Sequence, residues 1–135
     1  MPTPRWVPSL DDYVDLASVV LDTDPETVRR LPRLSLAESA LAAPFASFAG
    51  VDAYPELVDQ AAVLITHLVE NHPLPDGNKR AGFLMLARFL EANGRRWGAA
   101  DVTIDAPLVE RIAAGHTIHD EVVAWIAART HSAGS

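Results

Sequence analysis

Apolar residues recur at the spacing of a helix along nearly the whole chain, and this pattern predicts an all-α protein. The first amphipathic stretch covers residues 9–21. A proline and an acid after Asp24 predict a short second helix to residue 31. The capping-box pattern Ser35–Glu38 predicts the start of a third helix, which Pro44 ends.

Two strongly apolar helices are predicted for the middle of the chain. The first covers about residues 55–71 and has a broad apolar face. The second covers about residues 77–93, with Gly94 as a natural C-terminal cap. It has almost no polar face before Arg88, which predicts burial on all sides. The two helices form a central helix–loop–helix hairpin in a helical bundle.

The remaining segments are shorter. Residues 45–54 are the least helical part and are expected to form a loop or a short hairpin. Two further helices are predicted over about residues 106–114 and 117–129, the second capped by Thr117. The tail, residues 131–135, is expected to be disordered.

Composition narrows the class of protein. The 135 residues fit a single domain, residues 1–135. The net charge of −7 argues against direct nucleic-acid binding, and the lack of cysteine excludes disulfides and thiolate metal sites. The N-terminus has no signal-peptide pattern and the apolar stretches are too short to span a bilayer, so we expect a cytoplasmic protein without a membrane partner.

A loop rich in reactive groups separates the two central helices. Its sequence is His72-Pro73-Leu74-Pro75-Asp76-Gly77-Asn78-Lys79-Arg80. Lys79 and Arg80 would lie in the first turn of the second helix, at the positive end of its dipole, where cations are unfavourable. A bound anion would remove this conflict, because helix N-termini bind phosphates readily.

Each of these residues also has a purely structural interpretation. His72 could hydrogen-bond a carbonyl at a helix end, Asp76 could be an ordinary N-cap, and the cations could simply be solvated. The combination favours a site, since a hairpin turn needs none of these groups. Arg80 suits phosphate oxygens, Asp76 could hold Mg²⁺, and His72 could take a proton from a hydroxyl nucleophile.

The nine residues resemble the signature of the Fic/Doc family. Residues 36–41, 52–55 and 83–94 also resemble the segments around that signature in the Doc branch, so the similarity covers about residues 36–94. The resemblance implies an all-α Fic-type fold that transfers part of a nucleotide to a protein hydroxyl.

The resemblance also implies a role for each residue of the signature. His72 would be the general base, Asp76 the Mg²⁺ ligand, Gly77 and Asn78 the anion-hole residues, and Arg80 the phosphate clamp. Lys79 would add to phosphate binding. The position of the family's target-docking flap corresponds to Phe45, Phe48, Gly50 and Val51.

Two positions differ from the members that transfer AMP. Lys79 replaces a glycine and Phe83 replaces a second arginine, and both changes resemble Doc. Doc-type toxins transfer the γ-phosphate of ATP to elongation factor Tu and block translation. The resemblance therefore favours a protein kinase that uses ATP and Mg²⁺, with AMP transfer as the alternative. A Fic-like bundle that acts only by binding partners is a further alternative.

Two further expectations concern how the protein is inhibited and whether it is a metallohydrolase. Residues 66–71 match the family's inhibitory string, but they lie inside a predicted core helix, so inhibition is expected to come from a separate antitoxin protein. A metallohydrolase using His67, His72 and Asp76 is disfavoured, because the prolines of the loop break the helical register between these residues.

Overall fold

The computed structural model describes residues 5–99 and 101–133, and their fold is dominated by helices, which confirms the predicted all-α class. The α-helices among them are α1 (Leu10–Val20), α2 (Pro25–Arg29), α3 (Leu34–Ala42), α4 (Leu57–Asn71), α5 (Asn78–Ala92), α6 (Val102–Ala113) and α7 (His119–Arg129). A 3₁₀ turn, Ala43–Phe45, follows α3.

Two small antiparallel sheets accompany the helices in the described residues. The strands β1 (Ser47–Phe48) and β2 (Val51–Asp52) form the hairpin expected as one possibility for residues 45–54. The strands β3 (Arg95–Trp97) and β4 (Thr130–Ser132) pair with Trp97 opposite Thr130. The second sheet was not predicted, and it differs from the expected disorder of the tail, because His131 and Ser132 belong to β4. Residues 134 and 135 lie outside the described residues.

Helix α4 is the centre of the core and packs against α3, α5, α6 and α7. Its residues 60–65, Leu68 and Val69 are buried. The contact with α5 is especially close at Gly82, where a Cβ atom would lie only 2.7 Å from Cγ2 of Val69. The central hairpin is thus held by a tight helix–helix interface.

Helix α5 is less completely buried than its sequence predicts. Met85, Leu86, Phe89 and Leu90 are in the core, whereas Leu84 is 38% exposed. The sequence does not reveal this exposure, because a fully buried apolar helix and one with a small exposed apolar strip can have the same composition.

None of the described helices is long and apolar enough to cross a membrane.

The predicted starts of α1 and α2 are correct, and in both helices a side chain caps the start. Ser9 forms a capping box with Asp12, and the side chain of Asp24 accepts from the backbone N–H of Thr27. The capping box predicted at Ser35–Glu38 is wrong, since α3 begins at Leu34 after Arg33, without a side-chain cap. The predicted cap at Thr117 is also wrong, because Ile118 occupies that position.

Helix α6 begins four residues before its predicted start. Asp101 caps it by accepting from the backbone N–H of Thr103, and Pro107 lies within the helix. The prediction placed the start at Ala106, directly before this proline. Here the proline lies farther along, in the second turn.

A buried carboxylate ties α6 to α7. Asp105 is 6% exposed, and its Oδ1 accepts from Nε of Arg129 at 2.9 Å and from the indole N–H of Trp125 at 3.0 Å. The indole N–H of Trp97 donates to its Oδ2 at 3.3 Å. The rings of Trp97, Trp125 and Phe83 pack together around this pair.

Candidate functional site

The loop between α4 and α5 begins with a change of backbone conformation at His72. This residue ends α4 in the left-handed region, with φ 52° and ψ 55°. Such a conformation costs a non-glycine residue about 1–2 kcal/mol. Leu74, two residues later, is only 2% exposed, so the loop is anchored in the core close to the histidine.

The side chain of Asn78 holds the loop closed. Its Oδ1 accepts from the backbone N–H of Leu74 at 2.9 Å, and its Nδ2 donates to the carbonyl oxygen of Leu74 at 2.9 Å. The side chain is 6% exposed. Because both polar atoms are engaged, the predicted anion-hole role of Asn78 would depend on its backbone N–H.

Gly77 makes the turn into α5 possible. It is the N-cap of α5 in the left-handed conformation, with φ 75°. A Cβ atom at this position would lie 2.8 Å from Cγ1 of Val20 on α1. Glycine is therefore favoured twice, by the backbone conformation and by the close approach of α1.

The first turn of α5 has unsatisfied backbone donors and two cationic side chains, Lys79 and Arg80. Among the described residues no side chain caps this helix start, which leaves its N–H groups to water or a ligand. Asp76 is not the N-cap; its Oδ1 accepts from the adjacent N–H of Gly77 at 2.8 Å. Nζ of Lys79 lies 2.8 Å from Oε1 of Glu110 on α6, an exposed ion pair.

The imidazole of His72 is held by its own helix. Nδ1 lies 3.2 Å from the carbonyl oxygen of Val69. A carbonyl oxygen only accepts, so Nδ1 carries the donated proton, and Nε2 of the neutral ring keeps its lone pair. The ring can thus accept a proton from a nearby hydroxyl.

One surface cavity of about 390 Å³ brings the signature residues together. It is lined by His72, Pro75, Asp76, Gly77, Asn78, Lys79 and Arg80. A possible base, a carboxylate, a helix N-terminus and two cations therefore face the same space. This arrangement can bind an anion and take a proton from a group beside it.

A second cavity of about 320 Å³ adjoins the first and shares Lys79 and Arg80 with it. Phe83 and, from α6, Val102 and Val109 give it a largely apolar lining. A ligand with charged and apolar parts could therefore extend from one cavity into the other.

Comparison with known proteins agrees with this geometry. The model of the Fic/DOC family matches residues 8–90, more than half of the chain. The chain belongs to the Fic/DOC family. A relative named Toxin Doc, from Mycolicibacterium smegmatis, is 47% identical over 70 residues. That alignment covers 52% of this chain and 53% of the relative, so it spans about half the length of the relative. No solved structure matches the chain.

The residues predicted for the target-docking flap have different environments in the structure. Phe48 and Val51 are 78% and 70% exposed on the β1–β2 hairpin, and Gly50 lies in its turn with φ 80°. Phe45 precedes the hairpin and packs edge-on against Phe89, with ring centroids 6.0 Å apart. The structure thus separates Phe45 from the exposed flap residues.

Within the described residues, no three His, Cys, Asp or Glu side chains form a metal-binding cluster. His67 is exposed on α4, five residues before His72. Its Nδ1 lies 2.9 Å from the carbonyl oxygen of Val63. It does not line the cavity of the Fic/DOC signature. Asp76 is the carboxylate of that cavity, and its Oδ2 has no partner among residues 5–99 and 101–133.

Sequence reasoning missed two residues next to the Fic/DOC signature. Arg33 donates to two carbonyl oxygens at the end of α4, and Glu110 pairs with Lys79. Both contacts join residues more than 30 positions apart. No local pattern indicates them, because they depend on how α3 and α6 pack around the hairpin.

Proposed function

We propose that this chain is a Doc-like toxin that transfers the γ-phosphate of ATP to a hydroxyl group of a target protein. The observation that carries the proposal is the single cavity lined by His72, Asp76 and the uncapped start of α5. Membership of the Fic/DOC family and the similarity to Toxin Doc support it further. By the resemblance of the signature to Doc-type toxins, the target would be elongation factor Tu and a separate antitoxin would inhibit the chain.

His72 would start the reaction. Its Nε2 would take the proton of the target hydroxyl as the hydroxyl oxygen forms a bond to the γ-phosphorus. The bond from that phosphorus to the bridging oxygen would break, and ADP would leave with the electron pair. The hydrogen bond between Nδ1 and Val69 keeps the ring in the tautomer that this step needs.

The start of α5 would hold the phosphates. The backbone N–H groups of its first turn and the guanidinium of Arg80 would bind the oxygens on which negative charge develops. Lys79 would add charge at the border of the two cavities. The unpartnered Oδ2 of Asp76 fits Mg²⁺, which commonly binds one carboxylate together with nucleotide phosphates and would neutralise part of their charge.

The environment of Phe83 supports phosphate transfer over AMP transfer. The ring of Phe83 lies 5.0 Å from the ring of Trp97 and 6.3 Å from that of Trp125. An apolar cluster thus occupies the position at which AMP-transferring relatives have their second arginine. Arg80 is the one arginine among the described residues that line the cavity, so a triphosphate would have fewer charged contacts than in those relatives.

The proposal is tested with ATP labelled at either the α- or the γ-phosphate, using purified chain and elongation factor Tu. We expect the γ-label on the target and no α-label. His72→Ala should reduce the transfer by about 100-fold or more. His67→Ala is the matched control, because His67 lies on the same helix with the same type of Nδ1 contact but outside the cavity.

Other outcomes would contradict the proposal in distinct ways. Transfer of the α-label would indicate AMP transfer. Absence of either label, together with no heat of binding for ATP and Mg²⁺ in calorimetry, would indicate a chain that acts only by binding partners. Equal losses in His67→Ala and His72→Ala would remove His72 from the role of base.

A further inference from the structure

The end of α4 is closed by an arginine from another helix. Nε of Arg33 donates to the carbonyl oxygen of His72 at 2.9 Å, and its Nη2 donates to that of Asn71 at 2.8 Å. In return, Nδ2 of Asn71 donates to the carbonyl oxygen of Leu36 at 3.0 Å. The start of α3 and the end of α4 are therefore joined by three hydrogen bonds.

These contacts act on the backbone that carries the histidine. His72 is in the left-handed conformation, which an L-residue keeps only when its surroundings hold it there. The planar guanidinium donates in a fixed fork, so it fixes two successive carbonyl groups relative to each other. Its positive charge also suits the negative end of the α4 dipole.

The direction of the imidazole follows from this backbone. The ring is bound through Nδ1 to Val69 inside α4, while the main chain of His72 already turns away from the helix. A rotation at His72 would move the ring and Nε2 relative to the start of α5. Arg33 does not line either cavity at the signature, so it would act through His72 and not on a ligand.

We infer that Arg33 is a positioning residue for the proposed base, and this inference rests on the proposed function. Arg33 holds the left-handed turn at His72, and the turn directs Nε2 towards the phosphate cradle. Loss of the fork should lower the rate of transfer and leave nucleotide binding intact, because the cradle belongs to α5. A misplacement of a reacting group by about 1 Å can lower the rate about 100-fold.

The test compares Arg33→Gln, Arg33→Lys and the control Arg30→Gln. Arg30 is three residues away and about 79% exposed, and its side chain pairs only with the equally exposed Glu26 among the described residues. We expect Arg33→Gln to lower kcat by about tenfold to a hundredfold. The KM for ATP and the calorimetric stoichiometry should stay within twofold. Arg33→Lys keeps the charge but not the forked guanidinium, so its kcat should lie between those of the unmodified chain and Arg33→Gln.

The stoichiometry of ATP binding separates positioning from unfolding, because a merely destabilised variant would bind less ATP per chain. Equal kcat values for Arg33→Gln and Arg30→Gln would overturn the inference, as would a loss of kcat matched by an equal loss of binding sites. A variant that does not fold at all is replaced by Arg33→Lys in the same comparison.

A second readout needs no activity. The Cε1–Hε1 NMR signal of His72, assigned by its disappearance in His72→Ala, should shift or broaden in Arg33→Gln and not in Arg30→Gln. An unchanged signal in Arg33→Gln would overturn the inference. Absence of transfer by the unmodified chain, with the NMR change present, would instead contradict the proposed function alone.

Discussion

Gly77 and Asn78 are adjacent at the start of α5 and shape the loop in different ways. Asn78 closes the loop through two hydrogen bonds to Leu74, and Gly77 supplies the left-handed turn beneath α1. Neither role requires contact with a ligand. Gly77 and Asn78 are therefore important for the packing of the loop as well as being candidate site residues.

Gly77→Ala should destabilise the protein more than an ordinary glycine replacement. The positive φ costs about 1–2 kcal/mol, and the 2.8 Å approach to Val20 adds an overpacking cost of about 1–3 kcal/mol. Gly94→Ala is the matched control, because Gly94 has φ 87° but nothing within 4 Å of the added Cβ. Urea denaturation of both variants measures the loss in free energy of unfolding. Equal losses would mean that α1 shifts to accommodate the added Cβ at no energetic cost.

The signature residues were predictable because they are contiguous. His72, Asp76 and Arg80 line one cavity, as expected from a short loop between two helices. Arg33 and Glu110 were not predictable, since their contacts depend on tertiary packing. The role of Phe45 in target docking stays a prediction; the structure adds that its ring packs against Phe89 of α5.

At the scale of the element, the α4–α5 interface decides how the two halves of the site are placed. His72, the proposed base, ends α4, the proposed phosphate cradle begins α5, and the helices meet closely at Gly82 and Val69. The proposed reacting groups thus belong to two different helices, and the closeness of those helices depends on one glycine.

Gly82→Ala should destabilise the protein by about 1–2 kcal/mol. The added methyl would lie 2.7 Å from Cγ2 of Val69, and the resulting strain should exceed the gain in helix propensity of alanine over glycine. Denaturant unfolding measures the loss. In a Val69→Ala background, which removes the clashing methyl, Gly82→Ala should cost less or become stabilising; an unchanged cost would show that crowding is not the cause.

The side-chain caps of α1 and α2 were predictable, and the sheet formed by β3 and β4 was not. Ser9 and Asp24 mark correct starts, whereas α3 and α7 begin without a side-chain cap and were misplaced. The pairing of β3 with β4 escaped prediction because each strand has only three residues and the partners are more than 30 positions apart. Such strands have no periodicity of their own.

At the scale of the whole molecule, Asp105 links α6, α7 and the segment after α5. Burial raises the pKa of the Asp105 carboxyl, but hydrogen bonds from Arg129, from the indoles of Trp125 and Trp97 and from the N–H of Asp101 outweigh it and leave the pKa below its ordinary value. The folded protein therefore binds this proton less readily than the unfolded chain does.

This shift predicts a specific dependence of stability on pH. The stabilisation by Asp105 is complete above the ordinary carboxyl pKa of about 4 and declines as the pH falls through the lower folded value. At pH 7, Asp105→Asn should cost about 3 kcal/mol, because it leaves Arg129 without its buried partner. The cost should shrink in increasingly acidic buffer.

Thermal and urea unfolding between pH 7 and pH 3 measures this effect. Asp11→Asn is the control, because Asp11 pairs with Arg29 at an exposed site and should contribute less than 1 kcal/mol, as is usual for surface pairs at about 0–1 kcal/mol. A cost for Asp105→Asn that stays constant with pH would contradict the proposed linkage.

The tight interface between α4 and α5 has a consequence for which sequence changes such a protein can tolerate. The spacing between the proposed proton acceptor and the proposed anion cradle is set in the core, by the size of side chains that line neither cavity. A methyl group added there would leave the surface unchanged, yet it would separate these two groups. Selection for catalysis would therefore preserve the volume of the apolar side chains at this interface as strictly as the charged side chains of the cavity.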